Sequence, residues 1–185
     1  GARAREYEDA LQWLCDANLT YKIYRSTAPG LPLSAYDDLS AFKLYMADVG
    51  LLRRLSFLAP SAFSEGNRLF VEFKGALSEN YVLQALQNQF EAMPRYWAID
   101  ARYELDFLIQ RENDIFPVEV KSESNVESLS LKKYKEKYKD RVKLRVRFSL
   151  HNLRLDNDLL IFPYLWPTIQ IRLLGWHWKK LTNHS

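Results

Sequence analysis

The sequence predicts an α/β fold built around one main hydrophobic core. Hydrophobic residues make up 48% of the 185-residue chain, which is enough to fill the interior of a domain of this length. Helical periodicity dominates residues 68–90, and period-two alternation replaces it after Pro94. From residue 68 onward the predicted elements follow the order α-β-β-β-α-β-β, which is typical of α/β proteins.

The N-terminal part of the chain is predicted to contain helices and one strand. A loop rich in proline and glycine occupies 27–38, and we place a domain boundary at its end, between 38 and 39. The segment 41–58 has a broad apolar face, which predicts a helix or a helix-turn-helix around Gly50. Before the loop, the patterns predict a helix at 5–18 and a strand at 18–26.

Short strands dominate the chain after Pro94. The polar segment RENDI joins two of them and predicts a hairpin. In a later strand, basic side chains alternate with apolar ones, so that each kind lies on its own face. The predicted elements are strands at 95–99, 103–110, 116–122, 141–150 and 159–166, and a helix at 126–139.

The composition excludes several classes of protein. The single cysteine, Cys15, excludes a disulfide framework and a zinc site of clustered cysteines. No apolar run reaches the roughly 18 residues of a transmembrane helix, and no signal-peptide core is present, so we expect a cytoplasmic protein without a membrane partner. A G-x-x-x-x-G-K-[ST] motif is absent, which excludes ATP hydrolysis by a P-loop within this sequence. The chain begins without methionine, and we expect it to be a piece of a longer protein.

Charged side chains interrupt two neighbouring predicted strands. Glu119 and Lys121 are two residues apart, so in a strand they share one face. Asp106 lies on the preceding strand, within the apolar segment ELDFLI. Two carboxylates on one face of a hairpin repel each other unless a cation lies between them. A shared Mg²⁺ removes this repulsion, because it binds oxygen ligands from one or two carboxylates.

This combination of groups suits the hydrolysis of phosphodiesters. A metal ion held by Asp106 and Glu119 would polarise the phosphate, and Lys121 would orient or deprotonate the attacking water. The same pattern is also compatible with an edge strand whose charged face is only solvated. The spacing alone does not decide between these two interpretations.

The pattern resembles that of the PD-(D/E)xK nuclease-like superfamily, with Asp106 as the motif aspartate and residues 119–121 as E-x-K. Leu105 stands where the motif has proline. Six segments between residues 5 and 166 also occur in the order seen in one family. That family is the C-terminal domain of unknown function attached to bacterial and archaeal AAA+-type ATPases. The segments are FKLYMADVGLL, GALSENYVLQAL, ELDFLI, PVEVKS, RVRFSLHNL and IFPYLW.

The resemblance implies a fold and a domain organisation. Residues 39–166 are expected to form a restriction-endonuclease-like domain, in which helices flank a mixed sheet on both faces. Residues 1–38 would be the remnant of a helical, winged-helix segment with its linker, and 167–185 a C-terminal tail. The ATPase domain would lie upstream on the same chain.

The resemblance also implies further ligands for the metal ion. Glu79, on the helix before the sheet, is expected to join the two strand carboxylates in binding Mg²⁺ or Mn²⁺, and the carbonyl oxygen of Val120 could add another ligand. Glu72 lies on much the same face of that helix, so periodicity alone does not select Glu79. Glu104, on the same strand as the motif aspartate, either supports the site or is a surface charge.

A basic segment follows the predicted site. Its side chains are expected to contact DNA phosphates, although a solvated face with acidic partners is the alternative. Arg147 falls in one of the six segments, and it either contacts DNA or pairs with an acidic residue of the site. The residues expected to bind nucleic acid are Lys132, Lys133, Lys143, Arg145 and Arg147.

Two functions therefore compete at the level of the sequence. The first is a metal-dependent nuclease domain that hydrolyses DNA phosphodiesters. The second is a non-catalytic module that binds DNA or protein and regulates the ATPase. The sequence does not predict the oligomeric state.

Overall fold

The protein has an α/β fold, which a computed structural model describes over most of the chain. The predicted tail at 167–185 lies outside the described residues, and so does the end of the strand predicted at 159–166. Of residues 68–73 and 88 the structure describes the backbone alone. The described residues are 7–57, 68–89, 91–100, 102–121 and 128–163.

Four α-helices are interspersed among eight strands along the described part of the chain. Within the described ranges, none of the helices is long and apolar enough to cross a membrane. The α-helices are α1 Glu8–Asp16, α2 Val49–Leu55, α3 Arg68–Leu86 and α4 Leu129–Lys137. The strands are β1 Thr20–Ser26, β2 Asp37–Met46, β3 Arg95–Ile99, β4 Tyr103–Arg111, β5 Asp114–Val120, β6 Arg145–Ser149, β7 Arg154–Asp156 and β8 Leu159–Pro163.

The strands of the described residues form one mixed sheet in the order β2-β1-β3-β4-β5-β6-β8-β7. Neighbours are antiparallel except at three places, where β1 pairs with β3, β5 with β6, and β6 with β8 in parallel. The predicted hairpin is β4–β5, and its strands pair from Arg111 opposite Asp114 back to Phe107 opposite Val118. The predicted α/β class with a mixed sheet is therefore confirmed.

Two helices cover the two faces of this sheet. Val82 and Leu86 of α3 belong to the same core cluster as Ile109 of β4. The neighbouring residue on that strand, Leu108, belongs to a second cluster together with Tyr134 of α4. Consecutive residues of a strand point to opposite faces, so α3 and α4 pack on opposite sides.

The prediction of a helix or a helix-turn-helix at 41–58 is wrong for its first part. The strand β2 extends to Met46, and only α2 is helical. Both faces of β2 carry apolar residues, so the apolar positions of the segment resemble those of a helix. Its strand conformation is determined by pairing with β1. Asp48 then starts α2, because its side chain accepts a hydrogen bond from the Leu51 N–H.

The first two strands belong to the same sheet as the later ones. β1 lies beside β3, with Arg25 opposite Tyr96. Arg95 of β3 also forms an ion pair with Asp37 at the start of β2, through both carboxylate oxygens. The predicted boundary between 38 and 39 therefore falls inside a strand of the sheet. The winged-helix origin of the N-terminal segment stays a prediction.

The C-terminal strands differ from the prediction in detail. The strand expected at 141–150 is β6 alone, because Lys139–Arg141 forms a 3-10 turn before it. β7 was not predicted, since its three residues are exposed and show no alternation of apolar side chains. It pairs with β8 in the antiparallel direction and lies last in the order of the sheet.

Candidate active site

The β4–β5 hairpin brings the motif aspartate beside the E-x-K segment. Its strands pair without a register shift from the turn onward. Beyond the last pair, Asp106 Oδ2 accepts a hydrogen bond from the Val120 N–H at 2.7 Å. Asp106 is thereby fixed beside the residue that separates Glu119 from Lys121.

Glu119 is buried between two basic side chains. Its Oε1 lies 3.6 Å from Lys121 Nζ. Its Oε2 lies 3.6 Å from Nη2 of Arg147, which stands opposite Glu119 on β6. Glu119 is only 3% exposed and Arg147 only 1%. Of the two roles expected for Arg147, the structure shows the pairing with an acidic residue of the site.

Two residues of β2 also reach the predicted site. Lys43 Nζ lies 3.4 Å from Glu79 Oε2 and 3.9 Å from Asp106 Oδ1. It also forms an ion pair with Glu104. The hydroxyl group of Tyr45 donates a hydrogen bond to Glu79 Oε2 at 3.0 Å. An ammonium group and a phenol are therefore part of the carboxylate cluster.

Lys43 and Tyr45 are not among the residues that the sequence predicts for the site, because the pattern of their segment indicates a helix. If FKLYM is a strand, the two residues share one face. That face turns towards α3, where Glu79 lies. Glu104 is expected from the sequence either to support the site or to be a surface charge. Its ion pair with Lys43 favours the first of these roles.

The environment of Asp106 disfavours its negative charge. Burial raises the pKa of Asp106 well above the ordinary value of 3.8, and the charge of Glu79 adds to the increase. The Lys43 ammonium and the hydrogen bond from the Val120 N–H act in the opposite direction but do not cancel the effect. Glu119 contributes a further increase in the pKa. Loss of solvation on burial is thus the main reason that the charged form of Asp106 is disfavoured, and the neighbouring carboxylates add to it.

The two β2 groups stay protonated in this surrounding. Burial lowers the pKa of Lys43, but the charges of Glu79, Asp106 and Glu104 outweigh it, so that the pKa is raised above 10.5. Burial and the charge of Glu79 both raise the pKa of Tyr45. Near neutral pH, Lys43 is therefore an ammonium ion, and Tyr45 is a neutral hydrogen-bond donor.

The hairpin carries two side chains of the kind that a hard divalent cation prefers as ligands. Asp106 and Glu119 offer carboxylate oxygens, and Mg²⁺ commonly binds one or two of these while it keeps several waters. Among the described residues, the buried Oε2 of Glu119 has no hydrogen-bond partner, which leaves it a lone pair for a cation.

A larger cage of protein ligands does not form. Within the part of the chain that the structure describes, no group of three or more His, Cys, Asp and Glu side chains is arranged to hold a metal ion. The carboxylate of Glu79 is instead engaged by Lys43 and Tyr45. The participation of Glu79 in metal binding therefore stays a prediction, and it requires Lys43 to leave.

The basic residues expected to bind nucleic acid lie in different environments. Lys132 and Lys133 are exposed on α4, and Lys133 Nζ lies 3.9 Å from Glu136. Lys143 is exposed but lies 2.7 Å from Asp114. Arg145 binds Asp158 through two hydrogen bonds of 2.8 and 2.9 Å. Because Arg147 is buried, its guanidinium group is not at the surface that this prediction requires.

A segment from the middle of the chain to residue 166 matches a known protein family. Residues 74–166, half of the 185-residue sequence, match the family described as "Domain of unknown function (DUF4143)". The chain belongs to the DUF4143 family. Residues 1–62 match a second family, described as "Domain of unknown function (DUF8612)". No curated protein and no solved structure matches the chain.

The candidate site is assembled from both matched segments. The DUF4143 segment contains all the acidic residues of the site together with Lys121 and Arg147. The DUF8612 segment contains Lys43 and Tyr45. The predicted relation to a domain family of unknown function is confirmed, whereas the relation of this DUF4143 domain to ATPases and nucleases stays a prediction.

Proposed function

We propose that this chain is a metal-dependent nuclease domain that acts on DNA phosphodiesters. The observation that carries the proposal is the hydrogen bond from the Val120 N–H to Asp106, which fixes one carboxylate at the backbone position between Glu119 and Lys121. These are the groups that the E-x-K pattern requires. The raised pKa of Asp106 supports it, because a divalent ion would stabilise the charge that burial disfavours.

The metal ion would be Mg²⁺, or Mn²⁺ in its place. Asp106 and Glu119 would hold it, the Val120 carbonyl oxygen could add a ligand, and Glu79 would assist once Lys43 has withdrawn. When bound, such an ion supplies Lewis-acid polarisation of the phosphate and lowers the pKa of a bound water.

Lys121 is the residue that we assign to the attacking water. Its side chain is 44% exposed and lies 3.6 Å from Glu119 Oε1, so it is open to solvent and near the candidate metal site. An ammonium group there can hold the water in position and stabilise negative charge on the phosphate. Arg147 would act only indirectly, by holding the buried carboxylate of Glu119 in place.

The expected substrate, DNA, and the expected ATPase partner both come from the resemblance to the nuclease-like superfamily and to the ATPase-attached family. We expect DNA to approach from the side of Lys132 and Lys133, whose charges face solvent. Lys143 and Arg145 would add positive potential while they keep their acidic partners. We expect the domain to work in the cytoplasm as the C-terminal part of an AAA+-type ATPase.

The first prediction concerns cleavage of plasmid DNA. The protein is expected to nick supercoiled plasmid in Mg²⁺ or Mn²⁺, and Asp106→Ala or Lys121→Ala to reduce the rate roughly a hundredfold, the scale of removing a general acid–base or charge-stabilising group. Agarose gels measure the conversion to nicked and linear DNA. The matched controls are Asp156→Ala on β7 and Lys139→Ala in the turn before β6, and both should cleave at the normal rate.

Cleavage that survives both active-site substitutions would contradict the assignment, because it would come from a contaminating enzyme. Loss of cleavage in the control variants as well would also contradict it. Circular dichroism spectra of all four variants show whether each has kept its fold.

A second candidate is a non-catalytic module that binds DNA or protein. The observation in its favour is that Lys43 partly neutralises Glu79, Glu104 and Asp106 without any metal ion. This function predicts salt-dependent DNA binding and no cleavage with any divalent ion. Replacing Lys132 or Lys133 with alanine should then reduce the slope of log K against log salt by about 1, because each of these lysines would bind one phosphate.

A further inference from the structure

One ammonium group forms ion pairs with three carboxylates of the site. Lys43 Nζ contacts Glu79, Glu104 and Asp106, which come from α3 and from two positions on β4. Its side chain is only 23% exposed, so solvent screens these interactions incompletely. Lys43 Nζ also lies 5.4 Å from the centroid of the Tyr96 ring, over its face. Carboxylates and ring together form a small cation-binding site that Lys43 occupies.

This placement conflicts with a divalent ion at the same carboxylates. Two cations a few ångströms apart in a partly buried site repel each other strongly. A metal ion on Asp106 would also withdraw the negative charge that holds the ammonium group. Lys43 and the metal ion are therefore alternatives at Asp106 and Glu79, and they cannot both be held there at full strength.

We propose that Lys43 competes with the divalent ion for the carboxylates. Its ammonium group occupies the carboxylate cluster until a metal ion displaces it. The inference rests on the metal site of the proposed function and adds a regulatory element to it. The long, flexible side chain of lysine allows this exchange without movement of β2. Tyr45 keeps its hydrogen bond to Glu79, so that carboxylate stays in position while the ammonium group moves away.

Metal binding by a Lys43→Met variant tests the competition directly. Methionine keeps the length of the side chain and removes its charge. We expect the Kd for Mn²⁺, measured by calorimetry on the 185-residue chain, to fall roughly tenfold, because no ammonium group repels the ion. Lys43→Arg keeps the charge and should bind Mn²⁺ no more tightly than the wild type. Adding Asp106→Asn to Lys43→Met should abolish the increase in Mn²⁺ affinity.

Lys135→Met is the matched control. Lys135 also pairs with a carboxylate, at 2.8 Å from Asp158, but that aspartate keeps Arg145 as a partner when the lysine is replaced. The control should bind Mn²⁺ as the wild type does. Equal Mn²⁺ binding by Lys43→Met and the wild type, including no binding by either, would overturn the proposal.

A second measurement uses the wild-type protein and does not depend on the folding of any variant. Acetic anhydride modifies free amines, and a lysine held by three carboxylates reacts slowly. Addition of Mn²⁺ should increase the acetylation of Lys43, measured by peptide mass spectrometry, severalfold relative to Lys135. Unchanged labelling of Lys43 at a Mn²⁺ concentration that saturates the protein would contradict displacement.

The outcomes also separate this inference from the nuclease proposal. Tighter binding by Lys43→Met without DNA cleavage by any variant would leave the competition standing and remove the catalytic function. Cleavage by the wild type together with an unchanged Kd for Mn²⁺ in Lys43→Met would leave the catalytic function standing and remove the competition.

Discussion

Asp106 is a buried carboxyl group on which neighbouring charges act in opposite directions. Burial and Glu79 raise its pKa above 3.8, while Lys43 and the Val120 N–H lower it, and the increase is the larger effect. The folded protein therefore binds the Asp106 proton more tightly than the unfolded chain does. By linkage, the stability that this group contributes is present below about pH 3.8 and is lost as the pH rises through the higher folded pKa.

The residue-scale prediction concerns this pH dependence. Asp106→Asn cannot ionise, so its free energy of unfolding should rise relative to that of the wild type as the pH increases upward from about 4. Urea unfolding at a series of pH values measures the difference. The raised pKa of Lys43 does not interfere, because its contribution to stability is lost only at pH values above 10.5.

The control for this experiment is Asp156→Asn, which changes an exposed aspartate of β7. Its stability curve should run parallel to that of the wild type. Parallel curves for the wild type and Asp106→Asn over the same pH range would contradict the raised pKa of Asp106.

Individual residues were predictable from sequence only where the relevant pattern is local. The pairing of β4 with β5 across a short turn is enough to place Asp106 against the Val120 N–H, and the spacing of two residues places Glu119 near Lys121. The contact between Tyr45 and Glu79 spans 34 residues. Its existence depends on how α3 packs over the sheet, and no periodicity within either segment encodes that arrangement.

At the scale of elements, Asn80 links α3 to the end of β2 through two hydrogen bonds. Its side chain accepts a hydrogen bond from the Met46 N–H at 2.8 Å and donates one to the Met46 carbonyl at 2.9 Å. Asn80 is 1% exposed, so its side chain is shielded from water. One turn further along α3, Gln84 binds the Val49 N–H and Asp48 in a more exposed position.

The element-scale prediction follows from this attachment. Asn80→Ala should lower the free energy of unfolding by about 2–3 kcal/mol, since two backbone groups lose their partner near the core. Gln84→Ala is the matched control and should cost about 1 kcal/mol or less, because water can replace its bonds. Hydrogen exchange of the Met46 amide should accelerate in Asn80→Ala alone. Equal losses of stability in the two variants would contradict a special role for Asn80.

Most elements of the second half were predictable because their periodicity agrees with their final conformation. β3, β4, β5 and α4 have clear period-two or helical patterns, and the structure has them close to the expected bounds. β2 was not predictable in this way, because both of its faces are partly covered and both carry apolar residues. Its strand conformation comes from pairing with β1, an interaction between segments.

For the whole molecule, the sheet is continuous across the predicted domain boundary. Ile23 of β1 is fully buried in the larger core cluster, and Asp37 of β2 pairs with Arg95. α1, in contrast, contributes no buried residue. The core of the described fold therefore needs the first two strands but not the helix before them.

The prediction at this scale compares two truncations. A chain that starts at residue 18 should fold and unfold cooperatively, because it loses only α1. A chain that starts at residue 39 should not fold, since it lacks β1 and cuts β2. Thermal unfolding followed by circular dichroism, with two-dimensional NMR spectra, distinguishes the two. Cooperative unfolding of the shorter chain would show that residues 38 and 39 separate two independent domains.

The distances along the sequence within the site have a consequence for how the protein folds. The hairpin contact between Asp106 and Val120 spans 14 residues, whereas the contact between Lys43 and Glu79 spans 36. Contacts with short sequence separation close at a lower cost in chain entropy and tend to form early. We therefore expect the hairpin contact of Asp106 to form before the contact between Lys43 and Glu79 during folding. The ion pairs of Lys43 with the acidic groups would then form later than the hairpin, as β2 and α3 come together.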